Sequence, residues 1–449
     1  MSPSVSLKKL YLGALRFAAA HNMPRLAALL MLPQLKTLKS ASTADARTVL
    51  VLVKEGFTED VMAALADADG LKVVALPRVI VKALAAPYLP YFIDDNNYIS
   101  AGAEYDDAKL CYRRFWLALI ETLSRVMRID GMISGNYSYA TERELASAMS
   151  ERSLPFIALH KENLKTPGRV EFFERIYRER RGPFTGRKVL VYNQIERDLQ
   201  IRAGVADASR IEIVGMPRLD RMHQWRLAHV GEKQSNRILF FVFSPATGMP
   251  RLTRKAETRG EVWFEDDDNS GGDISLAKLS ATTCQTLLRV AKDNPDIEVV
   301  VKSKGRARDL HETAKLFGFD SEAQLPPNMR VVHGGDILDL IADASIVCGF
   351  NSTALLEAIA AGKPVVMPWF AEAEAPAVWP YLVDLRSVSV APKSSDKLYD
   401  ELIRLAREPE RVPEMLEPEN RKALALWTGN DDGVASTRTY EAIMREIKP

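Results

Sequence analysis

Short apolar runs alternate along most of the chain with stretches in which apolar residues recur every three or four positions. The runs fall at 49–53, 71–76, 131–134, 155–159, 188–192 and 211–214. They are rich in Val, Ile and Leu and show little internal alternation, which is how strands covered by helices on both faces read. Helical periodicity separates several of them, at 58–66, 106–128 and 140–151. This order predicts a doubly wound α/β domain with a parallel sheet. A second series opens at 237–243, after the polar stretch 231–236, which predicts a linker. It continues through a helix near 275–292 and strands at 297–302, 330–332, 345–348 and 364–367. Two Rossmann-like halves follow, each of ordinary domain size.

The segment 328–369 carries the most chemistry. Its strand at 345–348 gives way to Asn351-Ser352-Thr353, which opens a helix that carries Glu357 and closes at Gly362-Lys363-Pro364. Free backbone N–H groups and the positive end of the helix dipole favour an anion at such a start. A carboxylate about one turn further in can accept hydrogen bonds from sugar hydroxyls. An isolated Ser-x-x-x-x-Glu would be read as a simple cap with a solvated Glu. The buried strand before it and the Gly-Lys-Pro-Val-Val after it shift that reading towards a phosphate site.

Together these residues resemble the nucleotide-sugar half of GT-B glycosyltransferases, in the group that includes surface-carbohydrate and capsule-polysaccharide transferases. Gly215-Met-Pro-Arg-Leu-Asp220 and Trp427-Thr-Gly-Asn-Asp-Asp-Gly433 are similar to segments that close the first domain and the chain in that group. The resemblance spans most of 130–440. It implies an α/β fold of two Rossmann-like domains facing a cleft, a nucleotide-sugar donor as substrate with no further cofactor, and a glycan or lipid-linked acceptor. By that resemblance Ser352 and Thr353 meet the donor phosphates, Glu357 meets the ribose, and the helix from Ser436 returns to the first domain. The expected divisions are a basic amphipathic segment at 1–45, an acceptor-side domain at 46–230, a donor-side domain at 231–425 and a returning helix at 426–449.

Three other readings share the fold. Non-hydrolysing sugar-nucleotide 2-epimerases expect Asp-Ser-Gly-Gly-x-x-Glu-Glu where this chain has Phe350-Asn-Ser-Thr-Ala-Leu-Leu-Glu-Ala358. Glycerophosphotransferases of wall-polymer synthesis use a similar second half with a CDP-linked donor. A GT-B protein that binds a nucleotide sugar without turnover is the third. The capsule transferases often carry His-Pro after the strand equivalent to 297–302, and Ser303-Lys304 stands there in this chain.

In open α/β sheets ligands bind outside the carboxyl ends of the strands, which selects further candidates. On the donor side these are Ser244 and Asn351, with Lys302, Lys304 and Arg306 as positive charge for the departing phosphate. His333 and Gly334, in a turn with Gly335, let backbone approach a nucleobase. An acceptor hydroxyl needs a base, and His160 and Glu162 follow the strand at 155–159, with Glu55 in reserve after 49–53. The plainer readings are a structural histidine, solvated carboxylates and a solvated basic loop.

Composition narrows the partners. With 60 Lys and Arg against 59 Asp and Glu the formal charge is +1, which argues against a general nucleic-acid binder. Cys111, Cys284 and Cys348 are widely separated, which suggests a reducing, cytoplasmic setting without disulfides or a zinc site. No apolar run approaches the ~20 residues that span a bilayer. Residues 1–40 nevertheless hold Lys8, Lys9, Arg16, Arg25, Lys36 and Lys39 among many leucines, and the first acidic residue is Asp45. That pattern fits an amphipathic element resting on an anionic membrane surface, here the inner face, and equally a helix packed on the body of the protein. The acidic cluster 265–273 lacks the spacing of a calcium loop and reads as solvated, so no metal site is expected.

Overall fold

The computed structural model describes residues 3–41, 45–54, 57–66, 68–161, 163–245, 247–249, 252–253, 263–264, 275–303 and 310–447. The chain divides into two compact α/β units, each built around a Rossmann-like, largely parallel sheet. One unit is drawn from Met1–Asn163, Phe173–Arg218 and Val434–Pro449, the other from Leu164–Phe172 and Leu219–Gly433.

The first unit holds strands β1 (Lys36–Lys39), β2 (Arg47–Val53), β3 (Leu71–Pro77), β4 (Gly131–Ser134), β5 (Phe156–Leu159), β6 (Lys188–Val191) and β7 (Ile211–Ile213). Their order is β1-β3-β2-β4-β5-β6-β7. All neighbours are parallel except β1, which runs antiparallel to β3. The Val and Leu residues of 49–52 are buried, as a doubly covered sheet requires. β3 lies on one side of β2 and β4 on the other, so the topological switch falls at β2 and β4, and ligands of such sheets bind outside the carboxyl ends of the strands at that point.

The amino-terminal segment is partly packed. The helix Pro3–Ala20 buries Leu15, Ala18 and Ala19 and lies against the helix Arg78–Ala85, while the helix Pro24–Met31 packs on Asp106–Ser124. The sequence pattern gave no sign of β1, because Lys-Thr-Leu-Lys has no buried face. Its lysines suit an exposed sheet edge. The helix Ala435–Ile447 rests on Thr58–Leu65 and β6 of the same unit, burying Ile443 and Ile447.

The second unit holds β8 (Arg237–Phe241), the short antiparallel pair β9 (Leu252–Thr253) and β10 (Trp263–Phe264), then β11 (Glu298–Lys302), β12 (Met329–Val332), β13 (Ile346–Cys348) and β14 (Val365–Val366). The five-stranded sheet has the order β12-β11-β8-β13-β14 and is parallel throughout. Its switch point lies between β8 and β13.

The unit boundary falls at Leu219 and not in the polar stretch 231–236. That stretch is fastened into the second unit: Gly231 N donates to Val412 O at 2.9 Å, and Gln234 Nε2 donates to Glu410 O at 2.7 Å. The two closing motifs also meet there. Asn430 Nδ2 donates to Asp220 Oδ1 at 2.6 Å, and Gly433 N donates to Asn430 Oδ1 at 2.9 Å, with Asp220 and Asn430 both buried. The insertion Leu164–Phe172 seats Gly168 against Pro380 and Tyr381, where a Cβ would sit 2.9 Å from both side chains.

Candidate functional site

The donor-side candidates converge on the β8/β13 switch. Cys348 pairs with Phe240, and β13 is buried along its whole length. After Gly349 the chain must turn sharply, and Asn351 takes φ +48°, a left-handed conformation that Asn tolerates better than most residues. Its side chain then ties three segments together. Nδ2 donates to Thr247 O and Tyr381 O, both at 3.2 Å, and Oδ1 accepts from Val383 N at 2.9 Å. Gly248 lies so close that a Cβ on it would collide with Asn351 Nδ2.

Ser352 caps the helix Thr353–Ala360, its Oγ accepting from Ala354 N at 3.4 Å. Thr353 is the first helical residue. Glu357, four residues on and so on the same helical face, is buried at 2% exposure. On the β8 side, Ser244 N donates to Thr247 Oγ1 at 2.9 Å, and the Ser244 and Thr247 hydroxyls are 3.1 Å apart. Ser244, Asn351, Ser352, Thr353 and Glu357 therefore sit on the elements of one switch point. Asn351 acts there as a positioning group, since both polar atoms of its side chain are engaged with backbone.

Lys302, His333 and Gly334 lie further along the sheet edge. Lys302 ends β11, which β8 separates from β13, so their backbones are about 10 Å apart at ordinary strand spacing. Its Nζ donates to Ser303 O at 2.9 Å, and burial lowers its pKa. His333 follows β12, one strand further out, with Nε2 3.9 Å from Glu322 Oε1. Gly334 takes φ +71° and Gly335 φ +79°, with open space where a Cβ would stand. Lys304, Arg306 and the acidic cluster 265–273 lie outside the described residues.

In the first unit, His160 follows β5 as expected, but its ring is fully buried and does not line a surface. Its Nε2 lies 3.1 Å from Glu196 Oε1, and that carboxylate accepts from Tyr177 Oη at 2.9 Å and Gln200 Nε2 at 2.8 Å. Asn163 Nδ2 donates to His160 O. His160 thus sits in a buried polar cluster, its Nε2 within ion-pair distance of Glu196 but neither ring nitrogen in a hydrogen bond among the described residues. Glu162 and Glu55 lie outside the described residues.

Sequence reasoning missed two clusters at the carboxyl edge of this sheet. Beyond β2 and β4, Lys54 Nζ donates to Tyr139 Oη at 3.2 Å, and the Arg78 guanidinium stacks 3.5 Å from the Tyr139 ring centre. Arg78 Nε also donates to Glu142 Oε1 at 2.6 Å, and Ser134 Oγ donates to the other oxygen. Burial pushes the Glu142 carboxyl up to about 7, with Arg78 and Ser134 opposing the shift. The second cluster is Asp60, fully buried, which accepts from Tyr192 Oη at 3.0 Å and from Arg218 at 3.1 and 3.2 Å. Burial raises its pKa and Arg218 opposes the rise. The only sequence signal was position: Lys54 and Arg78 directly follow strands.

The Glu142 shift has a measurable consequence. A carboxyl whose folded pKa exceeds its unfolded value of 4.5 binds its proton more tightly in the native state. Its contribution is complete below the unfolded pKa and is lost as pH rises through about 7. Relative to Glu142→Gln, the wild type is expected to lose about 3 kcal/mol between pH 4.5 and pH 8. Urea unfolding of both proteins across that range checks it; a stability difference that does not change with pH contradicts the assignment.

No family model and no curated protein matches the chain. Among solved structures it is similar to UDP-GlcNAc 2-epimerase from Methanocaldococcus jannaschii, at 11% identity and TM-score 0.48, covering 89% of this chain and 99% of that one. It is also similar to UDP-GlcNAc 2-epimerase from Neisseria meningitidis bound to UDP-GlcNAc, at 12% identity and TM-score 0.45, covering 89% and 100%. A third likeness is to an α,α-trehalose-phosphate synthase (UDP-forming) from Burkholderia vietnamiensis, at 12% identity and TM-score 0.44, covering 90% and 98%. At these identities and scores the likenesses assign no activity to this chain.

Proposed function

We propose that the protein is a glycosyltransferase that moves a sugar from a nucleotide-sugar donor to a surface-glycan or lipid-linked acceptor at the inner face of the membrane. The observation that carries this reading is the Ser352-capped helix start at the β8/β13 switch, with the buried carboxylate of Glu357 one turn inside. Backbone N–H groups there meet the donor phosphates, and Glu357 takes the ribose hydroxyls. Lys302, Lys304 and Arg306 supply positive charge for the departing phosphate, and His333 with Gly334 borders the nucleobase. The base that accepts the acceptor proton is Glu162, with Glu55 as the alternative. Ala358 stands where a 2-epimerase would place its second glutamate, and it is completely buried, which supports transfer over epimerisation.

Thermal unfolding with UDP, GDP, CDP, CMP and dTDP tests the donor site, because a ligand that binds only the folded state raises apparent stability. One nucleotide is expected to stabilise the protein selectively, and Glu357→Gln should weaken that nucleotide about tenfold, the loss of roughly one hydrogen-bonded charge. A shift of equal size in wild type and variant removes Glu357 from the site. Incubation of the selected nucleotide sugar with and without lipid-linked acceptors then separates transfer from epimerisation.

A further inference from the structure

The helix Pro3–Ala20 has one broad apolar arc, and only part of it is covered. Leu15, Ala18 and Ala19 are buried, and Tyr88 Oη secures the carboxyl end by donating to Ala19 O at 2.7 Å. Leu7, Leu10 and Phe17, which stand in a row along the other part of that arc, are 67%, 69% and 55% exposed. Lys9 and Arg16, seven residues apart and both exposed, lie side by side roughly 100° or more round the helix from the centre of that row. Large side chains rarely stand out in a row like this without something to cover them.

Beside the stripe lies a groove of about 440 Å3. Leu7, Tyr11 and Leu12 form one wall, and Pro77, Val79 and Ile80, at the start of the helix Arg78–Ala85, form the other, with Lys8 among the lining residues. Its volume falls within the roughly 300–1,000 Å3 of small-ligand pockets. An apolar slot that opens beside an exposed apolar stripe suits a long hydrocarbon chain.

The charge of the segment selects the occupant. Residues 1–44 carry six Lys and Arg and no acidic residue, in a chain whose formal excess is only +1. An exposed apolar row on a segment with this bias suits the headgroup boundary of an anionic bilayer. Among the described residues no helix is long and apolar enough to cross a membrane, so the contact is with one leaflet. We infer that this face docks on an anionic lipid surface, with one acyl chain of an anionic lipid lodged in the groove between the Pro3–Ala20 and Arg78–Ala85 helices. The purpose of that contact rests on the proposed transfer to a lipid-linked acceptor.

The test uses the full chain with two kinds of vesicle, phosphatidylcholine alone and phosphatidylcholine mixed with phosphatidylglycerol carrying a photoreactive group on one acyl chain. Co-sedimentation is expected only with the mixed vesicles, and photolabelling should map to Tyr11, Leu12 or Ile80. Leu10→Glu should reduce sedimentation at least tenfold. Val79→Trp, which fills the groove, should still sediment but lose most of the labelling. Leu10 and Val79 are 69% and 40% exposed, so both variants are expected to unfold at the wild-type temperature. Equal binding to both vesicles, binding to neither, label outside the groove, or undiminished label in Val79→Trp overturns the inference. Nucleotide-induced thermal shifts on the same preparations keep the two ideas apart: a protein that responds to nucleotide and ignores lipid loses the docking face alone.

Discussion

Lys363→Met is expected to destabilise the second unit by about 3–4 kcal/mol, lowering its unfolding midpoint by about 10 °C. The lysine is buried at 4% exposure, and its ammonium donates at 2.8 Å to each of Gln234 Oε1, Ala342 O and Ala344 O, while resting 4.3 Å from the centre of the Trp225 ring. Three acceptors match the three donors of an ammonium, so no polar group in the cluster is left over. Burial pulls the pKa down to about 7, and the negative charge of Asp343 opposes that pull. Methionine keeps the volume and strands all the acceptors at once.

The position of the clasp separates stability from function. Gln234, Ala344 and Lys363 precede β8, β13 and β14, so the cluster gathers at the amino ends of the strands, the edge opposite the switch-point turn. Loss of Lys363 is therefore expected to lower stability while leaving nucleotide affinity near the wild-type value wherever the variant is folded. Urea unfolding beside nucleotide titration checks both halves. A cost below about 1 kcal/mol would mean that water replaces the ammonium without penalty.

The contrast between Lys363 and Glu357 shows where the sequence is informative. Both lie in the stretch that reads as a strand-turn-helix unit, and its strand, cap and closing glycine are legible because each depends on neighbours within a few residues. Gly362, with φ +70°, sits where the helix must end, and a Cβ there would press on Pro413 and Arg226. The partners of Lys363 are local in space only. Gln234 lies more than a hundred residues earlier, and nothing in Gly-Lys-Pro marks the lysine as buried. Asp60 and Glu142 are hidden for the same reason: each occupies a helix whose polar residues look solvated, and their partners Arg218 and Arg78 are distant in sequence. His160 misleads in the opposite sense. Its place after a strand suggests exposure, but the buried carboxylate of Glu196 draws the ring inward. The edge strand β1 has no apolar alternation to reveal it, since its pairing with β3 uses backbone groups alone.

Asn351 should show the largest effect on turnover. Asn351→Ala and Asn351→Gly are both expected to lower kcat about 100-fold with the nucleotide sugar that the ligand screen selects, because a misplacement of ~1 Å at a reacting centre costs about that much. The two substitutions divide the causes. Alanine loses the side-chain hydrogen bonds and also pays about 1 kcal/mol for φ +48°, whereas glycine loses the same bonds and takes that backbone conformation freely. If the bonds to Thr247 O, Tyr381 O and Val383 N hold the turn, glycine is as inactive as alanine while being the more stable of the two. Asn351→Asp sharpens the comparison. It keeps the acceptor for Val383 N but sets a carboxylate oxygen against two carbonyls, so it should do no better than glycine. Nearly full activity in Asn351→Gly would show that Ser352 and Glu357 hold their places without this tie, and that Asn351 is chosen only for its backbone angle.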